Sequence, residues 1–153
     1  MKKYRVTLLA AILSISALGF AEEKTIQRSD LPPAVEKALQ QQLKGATIKG
    51  FSSEKEDGRV VYEAQLIVNG HTKDIQFDTS GNVQEVEEEV AFDSLPAEVK
   101  AGLTARAKNG KITKVESLTK QDRLVAYEAQ VDRNGKQSEI QVGPMGEKLQ
   151  HEV

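Results

Sequence analysis

The sequence predicts an α+β fold, a tandem repeat of a helix followed by a three- or four-stranded antiparallel sheet. Three observations carry this expectation. The second half of the chain repeats the first, each half opens with an apolar stripe at helical period, and each continues with alternating runs broken by Asn-Gly pairs. Leu31-Pro32 with Val35 and Leu39 recurs 64 residues later as Leu95-Pro96 with Val99 and Leu103, and Ile48 maps to Ile112. Tyr62-Glu63-Ala64-Gln65 recurs at an offset of 65 as Tyr127-Glu128-Ala129-Gln130. Asn69-Gly70 with Asn134-Gly135, Ile75-Gln76 with Ile140-Gln141 and Gly81 with Gly146 keep that offset, and one inserted residue near Gln121 explains the change. Residues 22–90 read as a first repeat, 91–94 as a linker and 95–153 as a second repeat.

The segment before the repeats reads as an export signal. Lys2, Lys3 and Arg5 precede an apolar run over residues 6–18, and Gly19-Phe20-Ala21 places small residues where a signal peptidase needs them. The run is shorter than the ~20 residues of a membrane span. The expectation is a signal peptide over residues 1–21, cleavage after Ala21, and a soluble periplasmic or secreted protein with no membrane attachment.

The first helix is expected to start after Asp30 as a cap, with Pro32 and Pro33 in a first turn that tolerates proline. Leu31, Val35, Ala38, Leu39 and Leu43 form its stripe, and Gly45 stops it. Ser94 caps the second helix, whose stripe is Leu95, Val99 and Leu103 and whose stop is Asn109-Gly110. A strand over 47–54 precedes the alternating run Val60, Tyr62, Ala64, Leu66 and Val68, and one over 112–119 precedes Val125, Tyr127, Ala129 and Val131. Each Asn-Gly pair is a tight hairpin signal, because both residues of that turn need positive φ. Strands bearing Ile75 with Phe77 and Ile140 with Val142 follow, and last strands are expected over 83–90 and 148–153. The two sheets are expected to join edge to edge, which would protect their inner edges.

Composition excludes several chemistries. The chain has no cysteine, so disulfides, thiolate metal sites and cysteine nucleophiles are ruled out. Without Lys2, Lys3 and Arg5 the formal charge moves from −2 to −5, and aromatics are 5%, a poor match to nucleic-acid binding. No Gly-x-Ser-x-Gly turn and no phosphate-cradling glycine loop occurs. The charge is uneven: residues 22–94 carry 8 Lys or Arg against 15 Asp or Glu, and residues 95–153 carry 10 against 8. Complementary packing of the halves or steering of a charged partner would each use that asymmetry.

The order of elements, with the Leu-Pro-x-x-Val-x-x-x-Leu helix, the Tyr-Glu-Ala strand, the Asn-Gly turn and the glycine-turned last hairpin, resembles the PepSY-like family. It is most similar to the group known as putative beta-lactamase-inhibitor-like, PepSY-like domains, here in two tandem copies. The resemblance rests on residues 31–43, 60–70 and 75–81 with their second-half partners. It implies a small exported helix-plus-sheet module. Related domains lie in propeptides of metallopeptidases, where an inhibitory role is inferred; the expectation here is a departure from that arrangement, with no peptidase following. The resemblance supplies no set of active residues.

Candidate site residues therefore come from the pattern alone. Glu63, Gln65, Glu128 and Gln130 point away from the Tyr62 and Tyr127 face and would form a polar row on which a partner protein could dock. Tyr62 and Tyr127 fit half-buried core positions. Glu85, Glu87 and Glu89 share one strand face, beside Glu88 and Asp93, and are weak cation candidates that lack any calcium-loop pattern. The simpler reading of that run is a solvated strand, or protection of a sheet edge. His71 and His151 are not repeat-equivalent and read as surface residues rather than metal ligands. The sequence thus predicts an exported non-catalytic protein-binding module, an inhibitor or regulator of an extracytoplasmic peptidase or other hydrolase, with no cofactor and no metal. A small-ligand or cation-binding envelope protein using the acidic strand 85–89 is the alternative, and an enzyme with carboxylate chemistry ranks third.

Overall fold

The computed structural model describes residues 23–56 and 58–153. The expected signal peptide lies outside them. The three-residue strand β1 (Lys24–Ile26), a 3-10 turn (Arg28–Asp30) and helix α1 (Pro33–Gln42) lead into β2 (Ala46–Glu56), β3 (Arg59–Val68), β4 (His71–Asp78) and β5 (Val83–Glu89). A second 3-10 turn (Phe92–Ser94) and helix α2 (Ala97–Ala107) lead into β6 (Lys111–Lys120), β7 (Arg123–Arg133) and β8 (Lys136–Val142).

All the strands form one eight-stranded sheet in sequence order, each antiparallel to the next. This overturns the expected α+β tandem of a helix and a small sheet, since the protein is mostly β and has a single sheet. The reason lies at β5 and β6. Each has one edge that its own hairpin leaves free, and unpaired backbone donors and acceptors need partners. The segment carrying α2 brings β6 back antiparallel to β5, in a register that sets Glu85 against Lys120 and Glu89 against Glu116. Two strand expectations also change. β1 pairs with β2 and was not foreseen, while residues 148–153 form no strand and make only the bridge Val142–Lys148.

The helices start later than their expected caps. Pro32 and Pro96 are the N-cap residues, and neither helix has a side-chain cap. Asp30 instead ends the first 3-10 turn, where its carboxylate accepts from the Gln27 N–H at 2.9 Å. The Ser94 hydroxyl donates to the Ala91 carbonyl at 2.7 Å. Proline at the cap suits a position whose N–H would have no intrahelical acceptor. Both Asn-Gly hairpins form as expected, with φ of 53° and 57° at Asn69 and Asn134.

Both helices lie on one face of the sheet. Cross-strand partners share a face, and the row Lys73–Glu88–Ser117–Tyr127–Val142 runs on the helix side through both halves. Under α1 the core holds Val35, Leu39, Leu66, Ile75 and Phe77; under α2 it holds Val99, Leu103, Ala129, Val131 and Val142. Among the described residues these are two separate clusters, and Val90 at the end of the first half packs against the second. Each fully buried Leu contributes about 1.5–3 kcal/mol of transfer free energy, so each helix is held by its own half.

Two glycines fix how closely turns approach the helices. Gly81 and Gly146 have φ of +82° and +79°, and a Cβ on either would overlap a first-turn helix carbonyl, Ala34 or Glu98 respectively. Gly135 shares the positive φ but has open space where a Cβ would stand. Gly135→Ala should therefore cost about 1 kcal/mol, the backbone preference alone. Gly146→Ala should cost clearly more, because helix and turn must separate. Chemical denaturation of the two variants checks the ranking, and equal losses would contradict it.

Candidate functional site: the open face of the sheet

Opposite the helices, the register gathers polar side chains from β3 to β8. One row runs Gln65–Asp74–Glu87–Leu118–Ala126, and a second runs Glu63–Gln76–Glu85–Lys120. A third runs Glu89–Glu116–Glu128–Gln141, and Gln130 stands between Lys114 and Glu139. The strand register thus places Glu63, Gln65, Glu128 and Gln130 on the same face as Glu85, Glu87 and Glu89. Both core clusters lie on the other face. Even so, Leu118 and Ala126 on this open face are 1% and 0% exposed. The long polar side chains around them close over the strand backbones, their methylenes covering apolar surface.

The acidic strand differs from its expected character. β5 is paired on both sides, so the run is neither an edge guard nor a solvated face, and Glu85 is buried. Nor do Glu85, Glu87 and Glu89 converge on one point. Glu85 pairs with Lys120 Nζ at 2.9 Å. Glu89 accepts from the Thr72 N–H at 3.0 Å and lies 3.6 Å from His71 Nδ1. Glu87 instead meets Asp74 of β4 and Glu116 of β6, the carboxylate oxygens of the three lying within 4.8 Å of one another.

Asp74, Glu116 and Lys114 were not singled out from the sequence. Their alternation placed them on the polar parity of their strands, but only the strand order shows that they meet. Among the described residues this trio alone brings carboxylates together at a metal-like spacing. Its cation is already built in, because Lys114 Nζ lies 2.6 Å from Glu116 Oε1. The same oxygen accepts from the Thr72 hydroxyl at 3.4 Å.

Burial and mutual repulsion set the protonation of the face. Two like charges 4.8 Å apart repel by about 3 kcal/mol at an effective dielectric constant of ~20. Burial foremost, then Glu116, Glu85, Glu128 and Asp74, push the Glu87 carboxyl up to about 9. Burial and Glu116 push Asp74 up to about 6 against the pull of Lys114. Burial raises Glu63 to about 7, opposed by the Gln65 amide donating at 2.8 Å. Burial raises Glu128 to about 7 likewise, opposed by the Gln141 amide at 2.8 Å. For Glu89 burial is outweighed by the bonds from Thr72 and His71, so it titrates below its ordinary value. The face is therefore a store of protons near neutral pH, with Glu87 held as a neutral acid.

Tyr62 and Tyr127 are on the helix side, packed against the two core clusters. His71 is exposed beside its turn, and His151 is exposed near the C-terminus.

Comparison with known proteins follows this geometry. The family profile described as "Putative beta-lactamase-inhibitor-like, PepSY-like" matches residues 60–149. The chain belongs to the PepSY-like family. The match runs across residues 91–94, so one family unit takes in strands from both halves of the PepSY-like sheet. Three solved structures share the fold. A "putative periplasmic" protein of Bacteroides eggerthii is 21% identical over 78% of this chain and 86% of its own, with a TM-score of 0.63. A DUF2874 family protein of Bacteroides ovatus is 19% identical over 78% and 84%, at 0.60. A BLIP-like protein of Bacteroides fragilis is 24% identical over 76% and 81%, at 0.57. No curated protein matches the chain.

The Lys114–Glu116 pair gives a direct test of the site's electrostatics. Glu116 is 4% exposed, so Lys114→Met leaves a buried carboxylate without its cation and should cost about 2–4 kcal/mol near pH 7. Adding Glu116→Gln should recover most of that loss. Additive losses in urea denaturation of the single and double variants would contradict the pairing.

Proposed function

We propose that this PepSY-like chain is a non-catalytic binding module of the periplasm that docks a partner protein on the open face of its sheet, as an inhibitor or regulator of an extracytoplasmic hydrolase would. The observation that carries the reading is the polar face itself, which offers half-buried carboxyls and amides from β3 to β8 with no helix laid over it among the described residues. The periplasmic description of the Bacteroides eggerthii protein and the BLIP-like description of the Bacteroides fragilis protein support the compartment and the role.

The chemistry of the face suits a basic partner. A carboxyl raised by burial and like charge regains its ordinary acidity when a Lys or Arg comes beside it. Docking of a basic segment would therefore release protons, and charge complementarity would give specificity and speed of association. The alternative of a cation held by Glu85, Glu87 and Glu89 has less support, because Glu85 and Glu89 already have separate partners.

The replacements Glu63→Leu and Glu128→Leu together test the reading. The wild-type protein, used as bait on a periplasmic extract, should retain one protein at near one-to-one stoichiometry, and the double variant should lose it. The melting temperature at pH 7.5 should not fall, since both carboxyls are ionised there at a cost. Retention of the same protein by the double variant would remove the open face from the proposal.

A further inference from the structure

We propose that Asp74, Glu87 and Glu116 form a proton-holding latch across the β5–β6 seam, so that the two helix-covered halves stay paired while the cluster keeps a proton and loosen when it loses it.

The geometry of the seam is the basis. β5–β6 is the pairing that joins the two halves, through five register pairs, as many as β4–β5 and fewer than the eight of β3–β4. The two apolar cores are separate clusters, and Val90, packed against the α2 cluster, is the apolar side chain that the first half lends across the seam. On the helix side the Ser117 hydroxyl of β6 donates to the Glu88 carbonyl of β5 at 3.3 Å. Both ends of the seam open into cavities. One of about 370 Å³ is lined by Glu89, Val90, Phe92, Ile112 and Lys114. The other, about 320 Å³, is lined by Gln76, Gln84, Glu85, Lys120 and Gln121. Lys114, bonded to Glu116, lines the first cavity, and Glu85, next but one to Glu87, lines the second.

The cluster itself spans three adjacent strands, one oxygen set from each of β4, β5 and β6. The charged groups facing it are few in cations. β5 adds Glu85 and Glu89, β7 adds Glu128, and Glu23 ahead of β1 acts on Asp74. β3 adds Glu63, beside which Glu54 of β2 stands. Against these, β6 offers Lys114, bonded to Glu116, and Lys120, bonded to Glu85. With both lysines committed, the remaining repulsion falls on Glu87. A proton shared among the three carboxyls turns that repulsion into a hydrogen bond between strands.

The sign follows from linkage. Glu87 titrates at about 9 in the folded chain against an ordinary 4.5, so the folded state binds more protons than the unfolded one between those values. Its contribution is complete below the ordinary value and is lost as pH rises through about 9. Asp74 contributes in the same direction and is spent by about 6, and Glu63 and Glu128 by about 7. Above neutral pH the slope belongs to Glu87.

The experiment is urea unfolding of the full mature chain from pH 5.5 to 8.5, paired with native-state hydrogen exchange. Between pH 7.5 and 8.5 the wild-type unfolding constant should rise by nearly tenfold, one proton's worth. Glu87→Gln, which keeps the shape and a donor, should flatten that rise, while Glu147→Gln outside the cluster should keep it. The Val90 and Gln121 amides bond across the seam to Val115 and Gln84. Their protection, relative to amides of β3–β4 and β7–β8, should fall with pH in the wild type and hold in Glu87→Gln. A wild-type unfolding constant independent of pH over that range would overturn the latch. So would a Glu87→Gln slope equal to wild type, or seam amides that keep pace with the others.

Discussion

The pairing of β5 with β6 is the contact on which the rest of the structure depends. Each half holds its own helix through its own apolar cluster. The seam creates what neither half has alone: a continuous polar face on which Asp74, Glu87 and Glu116 meet across three strands. It rests on backbone hydrogen bonds and on polar side chains. A net backbone hydrogen bond is worth only about 1 kcal/mol. The charge state of a few carboxyls is therefore comparable to what holds the halves together.

This balance explains why the open face is arranged as it is. Carboxylates in this number could not all stay ionised in so little water. Lys114 and Lys120 neutralise two of them, amides from Gln65 and Gln141 soften two more, and Glu87 keeps its proton. A face built this way has charge to give when a cation arrives and little cost when none is present. The proposed binding surface and the proposed pH-responsive seam would be two consequences of the same crowding.

Much of this could be read from the residues, and the limits are physical. The helical stripes, the Asn-Gly turns and the alternating runs located two helices and seven of the eight strands. Alternation alone placed Glu63, Gln65, Glu85, Glu87, Glu89, Glu128 and Gln130 on the face away from the core, because side-chain direction in a strand is local information. Sheet order is not local. The expected edge-to-edge joining is found at β5–β6, but it makes one sheet of eight strands rather than a tandem of small ones, and no periodicity reports which edges meet or in what register. For the same reason Glu85, Glu87 and Glu89 looked like one site, whereas Glu87 finds its neighbours on β4 and β6. In place of the expected strand over 148–153 the segment makes the bridge Val142–Lys148 and a bond from the Val153 N–H to the Gln141 side chain.

The central claim is that one sheet runs through both halves, and NMR of the mature chain tests it most directly. Cross-strand proton contacts between Val86 and Thr119 and between Glu88 and Ser117 report the seam register. The account predicts that both pairs are seen near neutral pH and that the halves share one rotational correlation time. Missing contacts, with the halves tumbling independently, would contradict it.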